Sequence, residues 1–538
     1  MKSSTIRTFT TVHTWTGICA GFFLFIAFYT GALLVFYGAI DTWQHPPWRA
    51  GAEAQVSAQQ LAERFAATHP QQLSYFGVVL PSPGAAHASY VYWPSADGAR
   101  FATAGNLQNT LHTLPDNRLS NFLIAIHESL GIPVIGLYFM GIVSVLYGLA
   151  LVSGFIIRLP KITREVFALR RGRNLKRMWQ DAHNVIGLLS LPFHVMFALT
   201  GALLCLFAAM LMALNTLAFD GHLTSAFNQA LTTAPALQAS GKSAPMLPLP
   251  TLVQRAHATA LDHGVSTFTP DYIEFRNYGD ANAVVVVRGM SQSTLGTFGT
   301  VAMDGNTGAV LATHVGDTYD VNGMSYAALF GLHFGFFGGA TVKWLYLVLG
   351  LAGAFLFYSG NLLWIESRRK RRQTEQPART RWMARATVGV CIGSCLGVSA
   401  AFLALALANG HGDADLIQQV AAYGSFALAC LWTLWRPIPH AARDLLWATA
   451  GVTALAAIVD LIRNAHAWLQ PWTPLHSVVL AVDLTGLALA IGFALLARAS
   501  WRRARHSEAN SIWALPAQTR HQSVHGPLRA NDPDTENA

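Results

Sequence analysis

The sequence predicts a polytopic all-α membrane protein of about eight transmembrane helices that carries two small α+β domains on one side of the bilayer. Three observations predict it. The 538 residues are 52% hydrophobic and only 12% charged, against about 25% charged in an average soluble protein. Positive charge recurs after every second apolar run. A histidine-bearing unit of helix, outer domain and helix occurs twice at matched spacing.

Eight apolar segments are long enough to cross a hydrocarbon core of roughly 30 Å, which takes about 20 residues. They lie near 15–39, 134–157, 184–214, 341–364, 386–408, 416–435, 444–462 and 476–498. Lys and Arg cluster at Lys2 and Arg7, from Arg158 to Arg177, at Arg368 to Arg372 with Arg379, Arg381 and Arg385, at Arg436 and Arg443, and from Arg498 to Arg505. The positive-inside rule then places both termini in the cytoplasm and segments 41–121 and 216–325 outside. Those segments carry four basic against five acidic side chains and four against eight. The net charge of +9 therefore follows from membrane topology. No basic, aromatic-interleaved domain is present, which argues against nucleic acid as a partner. Cys19, Cys205, Cys391, Cys395 and Cys430 all fall in apolar spans, so no disulfide framework is implied outside. The first run is too long for a signal h-region and reads as a retained helix.

The first span starts at His13. Outside it, Val56 to Ala67 reads as an amphipathic helix with Ser57 as N-cap. Leu73–Leu80 and Ala88–Trp93 alternate as strands, with Pro81, Pro83 and Gly84 at the turn. His127 precedes span two, on a short helix that Gly131-Ile-Pro133 breaks. The second outer segment repeats this order: a helix from about Leu249 to Asp262, strands at Phe268–Arg276 and Ala283–Arg288, and two short strands around Asp304-Gly…Thr-Gly308. His333 then precedes span four. The predicted units are a first repeat at 1–160, a second at 178–366, an appended four-helix region at 385–500 and a disordered cytoplasmic tail at 507–538.

The duplication keeps register. His13 to Thr30-Gly31 is 17 positions, as is His183 to Thr200-Gly201. His127 to Ser153-Gly154 is 26, as is His333 to Ser359-Gly360. At 100° per residue, His183, Gly187, His194 and Gly201 share one face of span three. His13, Gly17 and Gly31 share the equivalent face of span one. Glycine on such a face admits a neighbouring backbone or a flat cofactor. Imidazole is a common axial ligand of haem iron. His13 and His183 both open outward-running helices, and His127 and His333 both precede inward-running ones. A pseudo-two-fold axis would pair like with like and give two haem b sites, one in each leaflet. His194 has Leu24 as its counterpart. It is predicted near mid-membrane, as a ligand of the outer haem, a bridge between the sites or a buried hydrogen-bonded histidine. Zinc is a weaker fit, with no two of these histidines at i, i+4 and no carboxylate on their faces. Glu128 either orients His127 or is solvated. Asp460 and Asp483 read as structural partners of Arg463.

At these residues the chain resembles the PepSY-associated transmembrane-helix family, also labelled iron-regulated membrane proteins. The matching elements are His13-x-Trp-x-Gly17, His127-x-Ser-Leu-Gly131, Trp179-x-x-x-His183-Asn-x-x-Gly187 and Leu332-His333-x-Gly335, each with its Thr-Gly or Ser-Gly landmark. Met303-Asp304…Thr307-Gly308-Ala-Val-Leu resembles the PepSY strand signature, which the first outer segment lacks. The resemblance covers about residues 1–370. It implies a bacterial inner-membrane protein with two PepSY-like periplasmic domains and haem-dependent reduction of ferric siderophores. Tyr319, Tyr326, Phe330, Phe334, Phe336 and Phe337 stand near the outer histidines as a possible substrate pocket or as interfacial anchors. No nucleotide-binding fingerprint appears in the cytoplasmic loops, so electrons would come from another protein or a diffusible reductant. The competing expectations are a non-enzymatic PepSY protein that binds or restrains a periplasmic protease, and an iron or siderophore transporter component. Spans five to eight lack paired mid-membrane charges or broken helices, which argues against transport.

Overall fold

A computed structural model describes residues 3–46, 56–81, 88–111, 118–161, 175–223, 234–370, 372–373 and 375–515. Its helices are α1 (Ser3–Leu34), α2 (Tyr37–Gln44), α3 (Ala58–Thr68), α4 (Leu119–Ser129), α5 (Ile135–Arg158), α6 (Leu175–Leu189), α7 (Leu191–Leu217), α8 (Leu249–Asp262), α9 (Val321–Phe334), α10 (Gly339–Ser367), α11 (Ala378–Ala408), α12 (Ala414–Trp435), α13 (Ile438–Arg463) and α14 (Pro474–His506). Seven of them, α1, α5, α7, α10, α11, α13 and α14, are long and apolar enough to cross a membrane. Large apolar side chains such as Ile142, Val152, Leu199, Val348, Ile491 and Leu495 lie exposed along these helices. Lipid is the solvent that such faces require. Eight spans were expected. Segment 416–435 does form the 22-residue helix α12, but Asp415, Gln418 and Gln419 dilute its apolar run, and it falls outside the seven.

The two outer segments were expected as two domains. Their strands instead form one seven-stranded antiparallel sheet in the order β3-β2-β1-β4-β5-β6-β7. The first segment supplies β1 (Tyr75–Val79), β2 (Tyr90–Ser95) and β3 (Gly98–Thr103). The second supplies β4 (Thr269–Arg276), β5 (Val284–Met290), β6 (Phe298–Asp304) and β7 (Val310–His314). The seam is the β1–β4 ladder, from Tyr75 opposite Arg276 to Val79 opposite Tyr272. Alternation leaves one face apolar, and α3 and α8 cover it. Leu61 and Phe65 of α3 and Leu252 and Ala256 of α8 share one core with Phe76, Val78, Ile273 and Phe275.

Local chemistry explains the elements. Ser57 caps α3 by accepting from Gln60 N, while the Gln60 side chain accepts from Ser57 N, a reciprocal capping box. In the β6–β7 turn Asp304 accepts from the backbone N–H groups of Asn306 and Thr307 and from the Thr307 hydroxyl, and Gly308 takes φ +71°. Asp280 accepts from the backbone of Asn282, Ser240 and Gly241, and these bonds hold its carboxyl at about 2, below the usual range.

The helices of the two repeats interlock, and the C-terminal ones clasp them from the side. Asp483 of α14 accepts from Trp43 Nε1 at 2.9 Å, and Arg503 lies over the Trp179 ring of α6. Asp460 accepts from Asn464, while Arg463 donates to the Ala406 carbonyl. Residues 507–515, expected as part of a disordered tail, fold back on this end. Arg369 pairs with Glu508, Gln376 donates to the Asn510 carbonyl at 2.9 Å, and Leu515 is buried. Residues 516–538 lie outside the described part.

Candidate functional site

The duplicated histidines meet as like pairs. His13 of α1 and His183 of α6 have ring centroids 6.2 Å apart, with planes at 77°. His127 of α4 and His333 of α9 have centroids 6.1 Å apart, with planes at 59°. His127 reaches its place because the chain breaks after α4. Leu130, Gly131 and Val134 all take positive φ before α5 starts, the break expected around Pro133. In the second repeat Gly335, at φ +63°, ends α9 just after His333.

Each imidazole is held by its Nδ1. His13 Nδ1 lies 2.8 Å from the Ala150 carbonyl, His127 Nδ1 2.7 Å from the Ala27 carbonyl, and His183 Nδ1 3.1 Å from the Leu356 carbonyl. His333 Nδ1 lies 2.8 Å from Thr200 Oγ1, whose own hydroxyl donates to Met196 O. All four contacts ask Nδ1 to be the donor. This fixes the neutral tautomer in which Nε2 keeps its lone pair, the arrangement that second-shell acceptors impose on metal-binding histidines.

The Thr-Gly and Ser-Gly landmarks build these seats. Ser153 donates to the Ala150 carbonyl, Ser359 to the Leu356 carbonyl and Thr30 to the Ala27 carbonyl, so each hydroxyl braces the carbonyl that receives a histidine. The next residue must be small. A Cβ on Gly31 would lie 2.7 Å from His127 Cε1, one on Gly154 2.8 Å from His13 Cε1, and one on Gly360 3.3 Å from His183 Cε1. The glycines expected on a cofactor face divide accordingly. Gly17 and Gly187 line the inner cavity, and a Cβ on Gly17 would meet nothing within 4 Å. Gly31 seats a histidine, and Gly201 lies against Ser144; both also line the outer cavity.

Each pair opens into a cavity. The inner one, of about 440 Å³, has His13 and His183 in its wall. The outer one, of about 570 Å³, has His127 and His333. Both volumes fall in the range of cofactor sites. Tyr326, Phe330, Phe334 and Phe336 line the outer cavity, as expected for a pocket there. Tyr319 and Phe337 are not in its wall. The Tyr319 hydroxyl bonds the Phe298 carbonyl, and Phe337 packs against Tyr346. Glu128 lines the outer cavity, but the Ala27 carbonyl, not Glu128, holds His127 Nδ1.

His194 joins neither pair. Span three is broken at Ser190, and Pro192 opens α7. His194 is fully buried, with Nδ1 2.5 Å from the Tyr147 hydroxyl and its ring against Phe28. Tyr147, which the sequence did not single out, lines both cavities. His194 thus stands apart from both pairs, with Nδ1 engaged by Tyr147 and Nε2 buried without a hydrogen-bond partner among the described residues.

The donor set tests what could sit in each cavity. A ring nitrogen bonds a transition metal at about 2 Å and the ring centre lies about 1 Å behind it, so two imidazoles that share one metal have centroids at most about 6 Å apart. Both pairs have that separation. Among the described residues no group of three or more His, Cys, Asp or Glu is arranged to hold a metal ion. Two imidazoles alone suit an iron whose four equatorial positions are already filled, as in haem.

An uncharacterized protein of Pseudomonas aeruginosa is 27% identical over 403 residues, which covers 72% of this chain and 95% of that protein. Residues 10–367 match the family described as PepSY-associated TM region. That match takes in all four paired histidines and stops before α11, and the chain belongs to this family.

Proposed function

We propose that the protein is a two-haem membrane oxidoreductase that delivers electrons to a ferric siderophore on the side where the sheet lies. His13 and His183 would hold one haem b, and His127 and His333 the other. The observation that carries this reading is the pair geometry: two imidazole pairs with ring centroids 6.2 and 6.1 Å apart, each ring held through its Nδ1 and set in a cavity wall. Haem bound there supplies one-electron redox chemistry.

The chain's own contribution is positional. Gly31, whose Cα carries the seat of His127, is 18 residues beyond His13 on α1, about 27 Å at 1.5 Å per residue. The two sites therefore serve opposite halves of a bilayer. The Arg- and Lys-rich connections at the inner end support a cytoplasmic inner face and a periplasmic sheet in a bacterial inner membrane. The aromatic wall of the outer cavity gives a chelate an apolar surface beside the outer pair. Ferric iron is held tightly by hard oxygen ligands and ferrous iron weakly, so one added electron releases the metal and spares the chelator. The electron donor is then a cytoplasmic protein or a diffusible reductant.

A visible spectrum of the detergent-purified protein, oxidised and reduced, tests the reading. It is expected to show a reducible b-type spectrum, and His13→Ala with His183→Ala is expected to remove about half of it. A colourless protein after expression with ample haem would sink the proposal.

A further inference from the structure

The two cavities arise from equivalent helices, yet they differ in charge. Arg158 at the end of α5, Lys176 at the start of α6 and Arg368 just beyond α10 all line the inner cavity. Deeper in the same wall, Asn361 is 2% exposed, and its Nδ2 has no hydrogen-bond partner among the described residues. A buried amide donor without an acceptor is costly, so Asn361 is set for an acceptor that none of the described residues provides. The outer cavity has neither feature. Among the described residues its wall holds no Lys or Arg, and Glu128 is its charged group. Phe155, the first-repeat position that matches Asn361, lines the same inner cavity and offers no donor.

We propose that Arg158, Lys176 and Arg368 form a clamp for the propionate carboxylates of the group held by His13 and His183, with Asn361 as a buried donor to the same ligand, and that the outer site lacks this clamp. The inference rests on the two-haem reading and deepens it. Arginine and lysine are the natural partners of carboxylates, and their attraction strengthens where water is excluded. The same charges bear on redox balance. Reduction adds one negative charge, which three cations stabilise and the Glu128 carboxylate opposes. The three cations therefore raise the reduction potential of the inner site, and Glu128 lowers that of the outer one.

The test is a spectroelectrochemical titration of the intact, detergent-purified protein, with a His13→Ala variant identifying the inner transition. Arg158→Gln with Arg368→Gln is expected to move the inner midpoint to a lower value and leave the other in place. It is also expected to speed transfer of one of the two haems to added apomyoglobin. Arg158→Lys with Arg368→Lys restores most of both effects, and Glu128→Gln raises the outer midpoint. Midpoints that stay put in the glutamine variants, with unchanged haem transfer, overturn the clamp and leave the two-haem reading standing. A colourless wild-type protein removes both.

Discussion

The smallest residues carry the tightest demands. A methyl group on Gly31 or Gly154 would enter the imidazole that packs there, at 2.7 or 2.8 Å from its Cε1, and contacts that short force a ligand to move. If the pairs hold haem as proposed, Gly31→Ala is expected to lose about half of it through His127, and Gly154→Ala the other half through His13. Gly148 sits on the same helix as Gly154 with nothing within 4 Å of an added Cβ, so Gly148→Ala keeps both. Haem-to-protein ratios of the three variants decide the matter, and equal ratios would remove the seating role. The histidines themselves were legible in the sequence, because a matched offset survives in one dimension. The work of Gly31 was only half legible. Spacing placed it on the histidine face of its own helix, whereas its tightest contact is with His127 of another. Tyr147 and Asn361 gave no periodic signal. Both are polar residues in apolar helices outside the repeated landmarks, and only packing reveals what they face.

At the scale of elements, helix ends decide where each imidazole goes. The break before span two was readable from Gly131 and Pro133, since proline cannot continue a helix. The break in span three was readable from Pro192 by the same rule. Read as one uninterrupted helix, span three placed His183 and His194 on a common face. In the structure the two diverge at Ser190, His183 to His13 and His194 to Tyr147. Gly335 is the matching device in the second repeat. It ends α9 at φ +63°, and a Cβ there would lie 2.9 Å from the Tyr346 ring. Tyr346 in turn donates to the Leu332 carbonyl beside His333. Gly335→Ala is expected to cost about 1–2 kcal/mol for the left-handed backbone alone, with the clash added. It should appear as a lower temperature for loss of the outer-pair signal, while the His13–His183 signal stays. Unchanged melting of both signals would show that this helix end is not under strain.

For the whole molecule, the duplication is visible in the helices and hidden in the outer part. Alternation, Ser57, the 249–262 helix and the Asp304–Gly308 turn were all readable, and six of the seven described strands follow them, while β3 (Gly98–Thr103) was not expected. Alternation does not say which strand lies beside which, so two segments that both open with a helix and two strands read as two domains. The β1–β4 ladder makes them one sheet with one core, which ties both repeats together above His127 and His333. The Tyr37 ring reaches from α2 to Phe336 at 6.0 Å, and its hydroxyl lies 3.9 Å from Met290 Sδ of β5, so sheet and outer cavity are mechanically continuous. The seam carries its own test. Phe275 of β4 is 3% exposed and stacks on Phe76 of β1 with ring centroids 4.9 Å apart. Truncating a buried phenylalanine costs about 3–5 kcal/mol. In a single cooperative unit that loss falls on both segments. Phe275→Ala is therefore expected to speed amide hydrogen exchange in β1 and β2 as much as in β5 and β6. Faster exchange confined to β4–β7 would mean that the two halves fold as separate domains that merely touch. Because the outer pair takes one histidine from each repeat, the two halves must keep their register for His127 and His333 to stay 6.1 Å apart, and a shared sheet holds that register from outside the membrane.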